Sequence, residues 1–144
     1  MKDPFVGTWK LNVANSKFGG PRQAPRELTI VIEEEGDHAF DTVKGVAADG
    51  SLIFDRYTFP NSGGKVTVLE GGGGFPAGTS GVLAARKADS RTKDWTITLP
   101  SGVVVTECDA LTEDGKTMLM TVRTTDAEGH SYESIQAFDR LITG

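Results

Sequence analysis

The sequence predicts an all-β fold: a single up-and-down antiparallel β-barrel of about eight to ten strands with little or no helix. Three observations lead there. Strand-length runs of alternating or β-branched residues recur along the whole chain of 144 residues. Asp/Asn/Gly clusters, which tolerate positive φ and close hairpins, punctuate those runs at even intervals. Glycine is abundant at 18 residues while the hydrophobic fraction is only 38%, a balance that suggests many turns. Closing the sheet is the simplest way to remove its exposed edges.

The opening run "VGTWKLNV" (6–13) and the next, "RELTIVIEEEG" (26–36), carry strand signals. Between them, "ANSKFGGPRQAPR" (14–26) is broken by glycine and proline and reads as a loop with one short turn of helix at most. The turn clusters "EEGDH" (34–38), "AADGS" (47–51), "NSGGK" (61–65), "TEDGK" (112–116) and "DAEGH" (126–130) then follow. With them come runs at 38–47, 51–59, 65–70, 81–88, 92–99, 102–111, 116–125 and 131–142. One segment breaks the rhythm: "LEGGGGFPAGTSG" (69–81). No Lys-Ser/Thr pair or helical pattern follows it, so it is not a phosphate-cradling loop. It reads as a long connection or a flap gating a ligand, with Phe75 placed to cap the barrel mouth.

The length suits one domain, 1–144, able to bury a core without disulfides or metals. A net charge of −5 argues against nucleic acid or an anionic membrane as partner. Cys108 is the single cysteine, which excludes an intrachain disulfide and reads as a buried small hydrophobe. No apolar run of about 18 residues exists, which excludes a transmembrane helix and membrane insertion by one. "MKDPF" is not a signal peptide, and the compartment stays open: secreted or periplasmic if a leader was trimmed.

"FVGTWKL" (5–11) resembles the opening of the calycins, the lipocalins and fatty-acid-binding proteins, whose first strand carries Gly-x-Trp. The likeness is closest to bacterial lipocalin-like proteins of unassigned function. Their "GTWKLN…SKF", central "ADG" turn, "DGKTM" turn and aromatic-acid-basic ending recur here. The resemblance implies that Arg140, in "QAFDRL", lies over the Trp9 indole. Both are then structural, with the ring closing one barrel end and the guanidinium adding about 0.5–2 kcal/mol. The region 14–26 stands where fatty-acid-binding proteins insert helices. Asp41 and Asp55 occupy positions that are typically apolar in the relatives, and Asp109 one that resembles their carboxylate-binding arginine. That departure implies a protein that is not a fatty-acid carrier of the usual type.

A barrel of ten strands is wide enough to hold a cavity, so function belongs on the inward register. Over 51–59 the more apolar face holds Ile53, Tyr57 and Phe59, which turns Asp55 inward. Ala39 and Val43 flank Asp41, and Val103, Val105 and Leu111 share a face with Glu107 and Asp109. The alternative registers, with these acids in solvent and Val104, Thr106, Cys108 and Ala110 inside, stay open. Carboxylates in such a place need compensation by an inward arginine (Arg56, Arg86 or Arg123), shared protons or a cationic ligand. Asp55, Asp109, Glu107 and Asp41 are the catalytic candidates, because like charges nearby raise a carboxyl toward neutrality. Tyr57, Phe59, Phe75, Trp95, Met118, Met120, Tyr132, Gln136 and Phe138 are the candidate ligand contacts. His38 and His130 sit beside turns without metal-ligand spacing, Ser80 lacks a nucleophile elbow, and neither a metal nor a cofactor is expected.

The leading expectation is binding of a small, largely apolar molecule, amine-bearing rather than a fatty acid, inside the barrel. The alternative is a hydrolase or isomerase using paired carboxyls as general acid and base without a metal. A third reading is a structural envelope protein without a specific ligand. The oligomeric state is open.

Overall fold

The computed structural model describes residues 4–19, 23–60, 64–70, 80–89 and 91–141, with the backbone alone for 66–70 and 80–89. Ten strands follow one another: β1 (Gly7–Lys17), β2 (Glu27–Glu35), β3 (His38–Val46), β4 (Leu52–Pro60), β5 (Gly64–Glu70), β6 (Ser80–Asp89), β7 (Thr92–Thr98), β8 (Val104–Leu111), β9 (Thr117–Thr125) and β10 (Ser131–Leu141). Each pairs antiparallel with its sequence neighbour, and β1 also pairs with β10, so the sheet closes. No helix occurs among the described residues.

Hairpin chemistry explains the regular order. In the β8–β9 turn, Thr112 N–H donates to Thr117 O (2.9 Å) and Gly115 N–H to Thr112 O (2.9 Å). Asp114 Oδ1 accepts from the Thr112 hydroxyl (2.7 Å) and from Lys116 N–H (3.0 Å). Gly115 takes a φ of +71°, which only glycine adopts without strain. A similar pair of backbone bonds, one residue tighter, closes 47–51, 99–103 and 126–130, as three-residue loops require.

Within region 14–26, residues 14–17 depart from the expected loop, while 18–19 and 23–26 carry no regular structure. β1 runs to Lys17 across a bulge between Asn12 and Lys17. Side chains carry the strand over that irregularity: the Ser16 hydroxyl donates to Asn12 O (2.7 Å) and accepts from Ala137 N–H of β10 (2.9 Å). Asn15 N–H donates to Asn12 Oδ1 (3.2 Å). Polar residues here bridge strands instead of ending one, and no helical turn forms among the described residues.

The apolar rows meet at one end of the barrel. Trp9, Met118 and Phe138 are fully buried there with Phe5, Leu11, Leu28, Ile30 and Leu111. Burying each large side chain contributes about 1.5–3 kcal/mol. Trp9 Nε1 donates to Phe5 O (2.9 Å), which satisfies the one polar atom of the plug. Arg140 lies over the indole with Cζ 4.2 Å from the ring centroid. Its guanidinium donates to Gly115 O (3.0 Å), Val6 O (3.0 Å) and Pro4 O (2.5 Å). A smaller group, Trp95 with Phe59 and Ile97, forms a second apolar cluster.

Candidate functional site

Strand alternation puts ionisable groups inside this wall. On β4, Asp55 is 4% exposed while its neighbour Phe54 is 42% exposed, so the odd-numbered row with Ile53, Tyr57 and Phe59 faces the interior. β3 turns Asp41 inward, directly opposite Tyr57 in register. β8 turns Glu107 and Asp109 inward, opposite Trp95 and Lys93 of β7. Asp109 is 7% exposed.

Asp41, Glu107 and Asp109 act on one another inside the barrel wall. Trp95 Nε1 donates to Asp109 Oδ2 at 3.2 Å. Asp109 Oδ1 is buried with no hydrogen-bond partner, and so is Asp41 Oδ1. Burial, then the Glu107 charge, raises the Asp41 carboxyl from 3.8 to about 7, with Lys93 pulling the other way. Asp109 is pushed well above its ordinary range by burial first, then by the charge of Glu107, a side-chain hydrogen bond shared with Glu107 and the charge of Asp41, against the Trp95 bond. The chemistry is that of carboxyls too close together and too dry to ionise at once. A proton on one of them supplies the O–H donor that ionised carboxylates lack. Asp55 is buried opposite Val43 of β3.

Among the described residues, Lys93 is a cation on an inward row, and sequence reasoning missed it. Its ammonium lies 4.7 Å from the Phe5 ring centroid and 5.8 Å from that of Trp95. The signal was present in the alternation: Lys93 precedes Trp95 and Ile97 by even steps, so it shares their face. Two of the arginines considered for that role do not fill it. Arg56 sits on the opposite row, its guanidinium 5.7 Å from the Phe40 ring, and Arg123 is exposed. The Arg86 side chain, the Ser80 side chain, Phe75 and residues 71–79 of the glycine segment lie outside the described residues.

The remaining candidates divide between wall and plug. Phe59 and Trp95 meet edge to face, centroids 5.0 Å apart, joining β4 to β7. Tyr57, Met120 and Tyr132 are half-buried on inward rows. Gln136 is buried and donates to Ser134 Oγ at 3.1 Å; Ser134 is a second interior polar group that the sequence reading did not single out. Met118 and Phe138 lie wholly within the end plug beside Trp9.

Cys108 corrects one expectation. It belongs to the outer row of β8 and is half-buried. Its thiol is pushed up to about 11, first by partial desolvation, then by Asp94 beside it. His38 is exposed. His130 is also exposed, with Nδ1 3.3 Å from Asp126 Oδ2. Asp126, Glu128 and His130 converge at this surface turn, their ligand atoms within 4.8 Å of one another. Asp126 Oδ1 already accepts the N–H groups of Glu128 and His130, which accounts for the cluster as turn chemistry.

No protein-family model and no curated protein matches the sequence. Solved structures do resemble the fold. Zebrafish ileal bile acid-binding protein, complexed with cholic acid, matches with a TM-score of 0.56 and 12% identity over 96% of this chain and 99% of that one. A redesigned β-barrel matches at 0.52, with 13% identity over 96% and 93% of the two chains. EF1p2_mFAP2b bound to DFHBI matches at 0.50, with 11% identity over 96% and 94%. At such identities the similarity shows the fold alone: a closed, up-and-down antiparallel β-barrel.

Proposed function

We propose that this barrel binds a small, largely apolar molecule bearing a basic nitrogen. One observation carries the reading: two buried carboxyl oxygens, Asp41 Oδ1 and Asp109 Oδ1, have no hydrogen-bond partner. A buried polar atom left unpaired costs about 1–3 kcal/mol, more when charged. An ammonium or guanidinium group from a ligand would donate to both and offset the mutual repulsion of the acids. Tyr57, Phe59, Trp95, Met120, Tyr132 and Gln136 supply the surrounding apolar and polar wall, the mix that small-molecule sites use. The barrel relatives complexed with cholic acid and with DFHBI support a small-molecule role for the architecture. The closer likeness to bacterial lipocalin-like proteins rests on the sequence pattern alone.

A thermal-shift panel of apolar amines, with the matched carboxylic acids and alcohols, tests the reading. Amines at about 100 times Kd should stabilise the fold by about 2.7 kcal/mol, and the acids should not. Stabilisation by acids and not by amines would refute it.

A second reading follows from the raised carboxyls: a hydrolase or isomerase in which ionised Glu107 or Asp41 takes a proton and protonated Asp109 gives one. A turnover screen with neutral esters and isomerisable carbonyl compounds tests it. Asp109→Asn should lower any turnover by about 100-fold or more, and turnover unchanged by that substitution removes Asp109 from the assignment.

A further inference from the structure

We propose that Lys93 is a tethered stand-in for the ligand's cation, occupying a charge subsite on the inner wall of the barrel, and that an alkylammonium ligand binds by displacing it. The inference rests on the amine-binding reading above and adds its gatekeeper. Three observations converge. Lys93 belongs to the inward row of β7, directly across from Asp109. Its ammonium lies over two aromatic faces, Phe5 at 4.7 Å and Trp95 at 5.8 Å. Its charge acts on Asp41, across the hollow on β3. Aromatic faces and carboxyls around one ammonium are the surroundings that organic cations seek.

The lysine leaves part of the job undone. Asp41 Oδ1 and Asp109 Oδ1 are still without hydrogen-bond partners in its presence. A side chain anchored on β7 reaches the subsite from one wall only. A free alkylammonium has three N–H donors and no tether, so it can settle where those oxygens face. Its apolar tail would lie along Phe59 and Ile97, which pack with Trp95. The long flexible lysine stem gives the displaced ammonium room to swing away from the rings.

Competition of this kind lowers apparent affinity by the fraction of molecules in which the subsite is vacant. The test is calorimetric titration of n-hexylammonium, hexanoate and hexanol into the wild-type barrel and Lys93→Met, near pH 7.5. Removing the competitor should tighten hexylammonium binding by about tenfold or more, as expected if the lysine occupies the subsite at least about nine-tenths of the time. Hexanoate should not gain. Unchanged or weaker hexylammonium binding by a folded Lys93→Met overturns the inference while leaving the amine-binding reading intact. Hexanoate bound by the wild type and lost in Lys93→Met overturns it too, because the lysine would then be an anion receptor. Binding of no probe by either protein removes both the inference and the reading beneath it.

A measurement on the unaltered protein stands beside this if Lys93→Met does not fold. The Lys93 ε-methylene protons, held near two rings, should resonate upfield of ordinary lysines by ring-current shielding. Titration with hexylammonium should return them to the ordinary position. A signal that stays shielded while hexylammonium binds shows that the lysine is not displaced, and the inference falls.

Discussion

A carboxyl that prefers its proton when folded leaves a signature in stability. Asp41 moves from 3.8 to about 7 on folding, so the native state binds that proton more tightly than the unfolded chain. The contribution is fully present below about pH 4 and is lost as pH rises through about 7. Asp109 acts in the same direction. The empty barrel should therefore be more stable at pH 5 than at pH 8. Asp41→Asn, neutral at every pH, should exceed the wild type at pH 8 by on the order of 4 kcal/mol and approach it at pH 4. Urea unfolding at the two pH values checks this, and an equal difference at both would contradict it. How far such residues could be read in advance depended on strand parity. Asp41, Asp55 and Asp109 announced themselves as acids on otherwise apolar rows. Lys93 did not, because lysine on a strand is ordinarily solvated and its ammonium meets Phe5 only through closure of the sheet. Cys108 misled for the opposite reason: its apolar neighbours Val104 and Ala110 belong to the outer row of β8, which closure leaves half-open to water.

Among the elements, the junction of β1, β9 and β10 is the most heavily tied. Arg140 spans it with three main-chain bonds and a stack on Trp9. Arg140→Met should destabilise the fold by about 2–4 kcal/mol, from the lost cation–π contact and three unsatisfied carbonyls. A shift in urea midpoint without a change in slope would register it. Gly7 makes room for this clasp. A Cβ there would stand 2.7 Å from Arg140 Nη1, so Gly7→Ala should weaken the same junction. Thus the glycine of Gly-x-Trp is explained by the guanidinium as much as by the indole. The hairpins at 47–51, 112–117 and 126–130 were legible for a comparable reason, since each of these turns writes its backbone need into Asp and Gly. The bulge and extension of β1 were not, because Ser16 finds its partner in Ala137, far along the chain.

The molecule as a whole has a strand order that equals its sequence order, closed by one pairing between first and last. That makes the order easy to infer and the width of the hollow hard. Alternation says which side chains turn inward but not that Phe59 would meet Trp95 from β4 to β7. The closing pair has a kinetic consequence: β1 and β10 must find each other across nearly the full chain, which predicts folding in the millisecond-to-second range. Stopped-flow refolding monitored by tryptophan emission measures it directly. It has a topological consequence as well. Thr8 lies beside Leu141 in the β1–β10 ladder, so a short Gly-Ser bridge could join the two ends and new ones could be cut at the 126–130 turn. The resulting ring-opened isomer would traverse the same wall from a different starting point. It should keep the native circular dichroism and a single cooperative melt, because a circle of strands has no intrinsic beginning.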